Sequence, residues 1–338
     1  MAMEIPKINV NIEQEKSIGI QKKWNILVPR EAAEVAEELK EAVLSENDAR
    51  AMELLKMDYV LRSLVTHRGK KDEALNLIPE IFFRVVGKEF GLRKGGESAQ
   101  EIFEKASSEI PAGQIVKFIH EAELPERFLR EMGTTAYHTK NEKIFWWIHH
   151  IIQSQDELFS DKTILAANLH DSASFVFSAL KDSGKALKFN NEALKKLRET
   201  GQADNVLEAK ILIGRTLDNT NLKPKDKIQS FEAAAKKLLD AGILYDHYRA
   251  VEYAAMEYLE LAKRQKGKQE NSRMDNLDES LGKLRETFNH VISINYPNGI
   301  IRAAEALVAV YGEIGDKGEI EKWKKTAEGF KKEHSFRY

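Results

Sequence analysis

The segment "IFWWIHHII", residues 144–152, contains two of the four tryptophans and two of the nine histidines of the chain. Imidazole rings bind metal ions, and indole rings contact ligands. No other segment of the chain has a comparable density of these side chains. The spacing predicts a helix on which Trp146, His149 and His150 share one face. Adjacent histidines diverge by about 100° on a helix, so a metal ion there would need ligands from other elements.

The opposite face of the same predicted helix is apolar. Ile144, Trp147, Ile148, Ile151 and Ile152 follow the three-four spacing of a stripe that packs against a core. We therefore predict a helix that is buried on two sides, at the junction between the two halves of the chain. The alternative interpretation is that its Trp and His face contacts a ligand.

Other patterns in the sequence do not supply catalytic chemistry. In "HDSAS", residues 170–174, the three residue types of a hydrolase triad are contiguous on a predicted helix, where neighbouring side chains diverge. The glycines of "LRKGGES" and "DSGKAL" lack the Lys-Ser or Lys-Thr ending of a phosphate loop. No His-Glu-x-x-His occurs, and the histidines are scattered. We predict no catalytic residues, no metal and no cofactor; the alternative is an enzyme site assembled from distant helices.

Composition narrows the class of protein. The 338 residues include 52 Lys and Arg and 54 Asp and Glu, giving a net charge of -2, which does not favour nucleic acids or anionic lipids. The basic runs "GIQKKWN", "THRGKK" and "EKWKKTAEGFKKEHSFRY" leave a nucleic-acid-associated protein as an alternative. No run is apolar enough to span a membrane, and the first residues do not resemble a secretory signal, so we expect a cytoplasmic protein.

Cysteine is absent, which excludes disulfides, thiol nucleophiles and Cys-ligated metal sites. The lack of cysteine, together with 31% charged residues, is also typical of a thermophile.

Helical periodicity dominates after residue 30. Residues 1–29 alternate apolar and polar side chains in "KINVNIEQEKSIGI", which predicts an extended arm or a short strand that ends at Pro29. Residues 30–123 predict an N-terminal helical region, in which Gly69 and Gly91 stand where helix C-terminal caps are expected. From residue 124 to residue 338 the pattern becomes a series of paired helices.

The paired helices contain an internal repeat. The segment "ALKFNNEALKKLRETG", residues 186–201, aligns without gaps on "KIQSFEAAAKKLLDAG", residues 227–242, and superimposes Ala193 on Ala234 and Gly201 on Gly242. A third copy, "EIEKWKKTAEGFKKE", places Ala327 at the same position. The pairs then fall near residues 161–201, 203–242, 243–295 and 297–334.

The last pair resembles a tetratricopeptide repeat (TPR). Leu307, Tyr311, Gly315, Asp316 and Ala327 match the spacing of that family, whose two helices meet at a Gly-Asp turn. The chain departs from the family pattern at three positions, which are Val308, Ile320 and Trp323. The resemblance implies an all-α fold in which an N-terminal helical group precedes a TPR-like right-handed helical-hairpin solenoid.

The resemblance also implies a site. The first helices of successive pairs would line a concave wall that interleaves both charge signs with apolar anchors, which suits a protein or peptide partner. A homo-oligomer and a ligand-responsive regulator with an N-terminal effector unit stay open, and so does the interpretation that these are solvated helix faces. The residues expected on the wall are Asn168, Asp171, Phe175, Arg215, Asp218, Asn219, Arg249, Glu252, Met256, Arg302 and Glu305.

Overall fold

The structure is a computed structural model that describes residues 29–56, 73–92, 98–122, 181–201, 204–293 and 296–334, with separate positions between 124 and 178. The predicted arm before Pro29 lies outside the described residues, as do Trp146, His149, His150 and Asn168. The described part of the chain contains helices and no strand, so the predicted all-α class is confirmed. None of these helices is long and apolar enough to cross a membrane.

Five described helices form the N-terminal helical region. They are α1 (Pro29–Leu44), α2 (Asp48–Lys56), α3 (Glu73–Glu89), α4 (Ala99–Glu109) and α5 (Ala112–Glu121). Helix α3 packs against α1, α2 and α4. Helix α4 starts at a capping box, in which the Glu101 carboxylate accepts a hydrogen bond from the Ser98 N–H at 2.8 Å and the Ser98 hydroxyl accepts one from the Glu101 N–H at 3.3 Å.

These helices enclose an aromatic cluster, here called the N-terminal core, whose buried residues run from Leu39 to Ile151. Phe82 and Phe83 of α3 lie at its centre. The Phe82 ring centroid is 5.1 Å from that of Phe128, and the Phe83 centroid is 5.0 Å from that of Trp147. Tilted and edge-to-face rings at these distances attract one another in addition to burying area.

The apolar stripe of the segment 144–152 belongs to this core. Ile144, Trp147, Ile148 and Ile151 are helical and buried, which confirms the prediction for these four residues. Ile152 lies outside the described residues. The N-terminal core therefore takes residues from both sides of the predicted boundary at residue 124. The division of the chain into residues 30–123 and 124–338 stays a prediction.

Seven described helices follow, here called the repeat region. They are α6 (Ser183–Glu199), α7 (Asn205–Asp218), α8 (Pro224–Asp240), α9 (Leu244–Gln265), α10 (Glu270–Ser293), α11 (Pro297–Ile314) and α12 (Lys317–His334). Each packs against the next along the chain, and α9 also contacts α11. The bounds match the predicted pairs, with α6 as the second helix of the first pair, so the predicted series of paired helices is confirmed for the described residues.

The structure explains why alanine and glycine recur at equivalent positions of the predicted repeat. Ala193 and Ala234 are fully buried in the corresponding second helices α6 and α8, where a small side chain lets neighbouring helices approach closely. Gly201 and Gly242 follow those helices with φ of 65° and 72°, a left-handed conformation that glycine adopts without steric cost. The first two pairs therefore end at the same type of helix C-terminus.

Ion pairs connect helices that are two apart in the chain. Lys210 of α7 is 2.9 Å from Asp246 of α9, Lys283 of α10 is 2.9 Å from Glu232 of α8, and Arg302 of α11 is 3.0 Å from Glu252 of α9. These charged contacts therefore help to fix how one pair lies against the next.

Candidate functional site

Of the predicted wall residues of the first pair, the structure describes Asp171 and Phe175, which are buried and half-buried, respectively. Asp171 is 1% exposed, and Phe175 packs against the N-terminal core together with Phe189 of α6. The Asp171 carbonyl accepts a hydrogen bond from the Ser174 hydroxyl at 2.7 Å. Asp171 and Phe175 are therefore placed for packing rather than for contact with a partner on an open face.

The α7 residues do not form a common site either. Asp218 accepts a hydrogen bond from the buried Asn190 amide of α6 at 2.8 Å, and Asn219 is the C-cap of α7. Gly214 permits this close approach, since an added Cβ would lie 3.1 Å from Asn190 Oδ1. Arg215 is exposed and lies beside α6, in a depression described below.

The α9 and α11 residues do come together. Arg249 and Glu252 of α9 and Arg302 of α11 meet between the two helices, where three tyrosines surround them. This group is here called the Arg–Tyr cluster, and its members are Tyr245, Arg249, Glu252, Tyr253, Tyr296 and Arg302.

Arg302 and Glu252 form a bidentate pair across the helix interface. Arg302 Nη2 donates to Glu252 Oε2 at 3.0 Å, and Arg302 Nε donates to Oε1 at 3.1 Å. The side chains keep 24% and 11% of their accessible surface, so the pair is mostly shielded from water. Charge-assisted bonds of this geometry are stronger than neutral ones and fix the direction of both groups.

Arg249 has a different environment. Its Nε and Nη2 donate to the Tyr253 hydroxyl at 3.0 and 2.9 Å, and its guanidinium carbon lies 5.3 Å from the centroid of the same ring. Among the described residues, no carboxylate lies within ion-pair distance of Arg249. Arg302 is near enough for the two like charges to oppose each other.

Two tyrosines close the cluster at the start of α11. The Tyr245 hydroxyl donates to the Tyr296 hydroxyl at 3.1 Å, and the two rings meet edge to face at 5.1 Å. Gly299 leaves room for this arrangement, because an added Cβ would lie 2.6 Å from the Tyr296 ring and 2.8 Å from Val291. Only glycine fits at this position without displacing Tyr296.

The charge states at neutral pH follow from these contacts. Burial opposes the charged form of Arg302, but the facing Glu252 carboxylate more than offsets it, so the pKa of Arg302 is raised well above its ordinary value. Burial raises the pKa of Tyr296, and Tyr245 adds to that rise. By formal charge, the six members include two guanidinium groups and one carboxylate, so one positive charge has no carboxylate partner within the cluster.

The remaining predicted wall residues serve other contacts. Met256 packs against the apolar cluster of α9 to α12, and Glu305 forms an ion pair with Lys331 of α12. Among the described residues, no group of three or more His, Asp or Glu side chains is arranged to hold a metal ion.

Sequence reasoning missed Tyr245, Tyr253 and Tyr296. A signal existed for the first two, because Tyr245, Arg249 and Tyr253 recur at a spacing of four along α9 and so share one face. Tyr296 precedes α11 by one residue, and only the packing of α11 against α9 brings it to the same place.

No family model matches the sequence, and no curated protein matches it. Among solved structures, the chain is similar to a Rap protein complexed with competence and sporulation factor, with 13% identity, a TM-score of 0.38, and coverage of 91% of this chain and 99% of that one. It is also similar to a circular tandem repeat protein with a novel repeat topology, with 14% identity, a TM-score of 0.27, and coverage of 90% and 76%.

Proposed function

We propose that the chain is a non-enzymatic scaffold that binds a protein or peptide at the Arg–Tyr cluster of α9 and α11. The observation that carries this proposal is the charge imbalance of the cluster. Arg249 and Arg302 share the single carboxylate of Glu252, and that carboxylate pairs with Arg302. A shielded cation without a carboxylate partner favours an incoming anionic group, which would supply the missing charge.

The aromatic surroundings favour a peptide as the bearer of that group. Tyr245 and Tyr253 are partly exposed next to Arg249, so each offers an apolar ring and a hydroxyl to a ligand. Tyrosine and arginine are the side chains that most often dominate protein interfaces, because they bury large area and form directed polar contacts. An acidic side chain or a terminal carboxylate flanked by apolar residues fits this combination.

The test is a selection followed by a titration. The full chain is used to select from a displayed library of random peptides, and an enriched synthetic peptide is then titrated calorimetrically. We expect enriched peptides to contain a carboxylate, and Arg249→Gln to weaken their binding by about tenfold or more. Arg264→Gln is the matched control, since Arg264 is exposed near the end of the same helix, and it should change binding by less than about twofold.

A second variant should change the peptide affinity in the opposite direction. Glu252→Gln removes the anion that competes for Arg302, so we expect tighter binding of a carboxylate peptide. The same change should lower the free energy of unfolding by about 1–3 kcal/mol, because Arg302 loses its charged partner. Selection of no peptide, or equal binding by the wild type and Arg249→Gln, would contradict the proposed site.

A further inference from the structure

A depression between α6 and α7 lies apart from the Arg–Tyr cluster. Its volume is about 370 Å³, within the range of about 300–1,000 Å³ of ligand pockets. It is lined by Asn191, Leu194, Lys195, Arg198, Glu199 and Arg215. Leu194 is buried and forms an apolar floor, whereas the surrounding polar side chains are exposed.

The cations of this depression are weakly compensated. Arg198 and Arg215 are exposed, and neither forms an ion pair with any side chain that the structure describes. Lys195 is 3.8 Å from Glu192, at the limit of an ion pair, and both are solvent-exposed, so that pair contributes little. With Glu199 as the one anion in the lining, three cations leave a net local charge of about +2.

Nearby lysines outside the depression, in contrast, have carboxylate partners. On α7, Lys210 is 2.9 Å from Asp246, and Glu208 is 2.8 Å from Lys237. These charges lie at helix–helix contacts and are matched by partners within the chain. The depression instead contains two arginines that form no ion pair with a described side chain.

We propose that this depression is a second binding site, which takes a short acidic segment of a protein partner. The two arginines offer planar donors that match carboxylates, and the Leu194 floor accepts an aliphatic stem between them. The site is short, since its lining comes from a few turns of two helices, so it suits a short segment better than an extended phosphate backbone. It uses α6 and α7, whereas the proposed peptide site uses α9 and α11, so the two are independent.

The test uses the full chain and a fluorescent peptide of alternating Glu and Ser that carries a photoreactive benzoylphenylalanine at one end. We expect saturable binding at low ionic strength, with crosslinks to residues 191–215. The variant carrying Arg198→Gln and Arg215→Gln should bind about tenfold more weakly. A control carrying Lys225→Gln and Arg264→Gln, both exposed cations elsewhere, has the same net charge and should bind within about twofold of the wild type.

Three outcomes would overturn the proposal. Crosslinks that map only to residues 245–302, with binding lost in Arg249→Gln and kept in the double variant, would assign the acidic segment to the Arg–Tyr cluster. Tighter binding of single-stranded oligothymidine would replace the protein partner by nucleic acid, and competition by millimolar inorganic phosphate alone would reduce the site to a general anion site. Circular dichroism checks that the double variant folds, and the single variants Arg198→Gln and Arg215→Gln stand in for it otherwise.

Discussion

The N-terminal core and the repeat region are stabilised in different ways. The N-terminal core gathers aromatic rings from distant parts of the chain, and Phe82 contacts Phe83, Phe118, Phe128 and Trp147. Each of these contacts except the first joins residues far apart in the sequence. The stability of this region therefore depends on all its elements being in place at once.

The repeat region instead contains several smaller apolar clusters, one at each set of adjacent helices. Buried alanines such as Ala234 and Ala304 bring the helices together, and ion pairs such as Glu252–Arg302 join one pair to the next. Such a design depends mainly on nearest-neighbour contacts. It can therefore accommodate charged groups between pairs without breaking a shared core, which is where both proposed sites lie.

Phe82→Ala tests the N-terminal core and should have the largest effect on the free energy of unfolding. Phe82 is fully buried among four rings, so its truncation should lower the free energy of unfolding by about 3–5 kcal/mol. Urea denaturation measures the loss. Leu44→Ala is the control, because Leu44 is 75% exposed and its truncation should cost less than about 0.5 kcal/mol. Equal losses for the two variants would contradict the assignment of a rigid aromatic core.

Ala234→Leu tests the close packing of the repeat region. Ala234 is fully buried between helices, so a larger side chain should force them apart and cost about 1–3 kcal/mol. Ala233→Leu places the same side chain one position away, on the exposed face of the same helix, and should be nearly neutral. Thermal and urea unfolding of both variants make the comparison. A stable Ala234→Leu protein would show that close approach is not what the repeat position requires.

A smaller expected effect is a pH dependence of stability that arises at the contact between α9 and α10. The His290 ring stacks on Tyr248 at 4.1 Å, and His247 approaches the other side of Tyr248 at 4.6 Å. Burial, and secondarily the nearby His247, lower the pKa of His290 from 6.5 to about 4. The Glu286 carboxylate also lies near this group, beside Tyr248. Burial, and secondarily Glu286, raise the pKa of Tyr248.

The sign of the pH effect follows from that shift. With its pKa lowered, native His290 binds fewer protons than the unfolded chain, so its contribution is full above about pH 6.5 and is lost as the pH falls towards about 4. We expect His290→Gln to remove about 1 kcal/mol of the wild-type loss between these pH values, after allowance for the partial exposure of the ring. Identical pH profiles of unfolding for the two proteins would contradict the buried, neutral state of His290.

Much of the fold could be predicted because helix formation is local. The three-four spacing located the stripe of Ile144, Trp147 and Ile148, and the gapless repeat located Ala193 and Ala234, all of which are buried. The predicted wall was less complete. Asp171 and Phe175 have the spacing of an exposed wall, but Asp171 is buried and Phe175 packs against the N-terminal core.

The sequence by itself determined which segments are helices, where glycine ends them, and which positions must be small, since each of these depends on a few adjacent residues. Only the tertiary structure decided that Tyr296 joins Tyr245 and that Arg302 pairs with Glu252, 50 residues away. It also placed Arg215 beside α6 rather than on a common wall. The reason is physical: periodicity assigns a side chain to one face of a helix, whereas the packing of neighbouring helices decides whether that face meets a core, another charge or solvent.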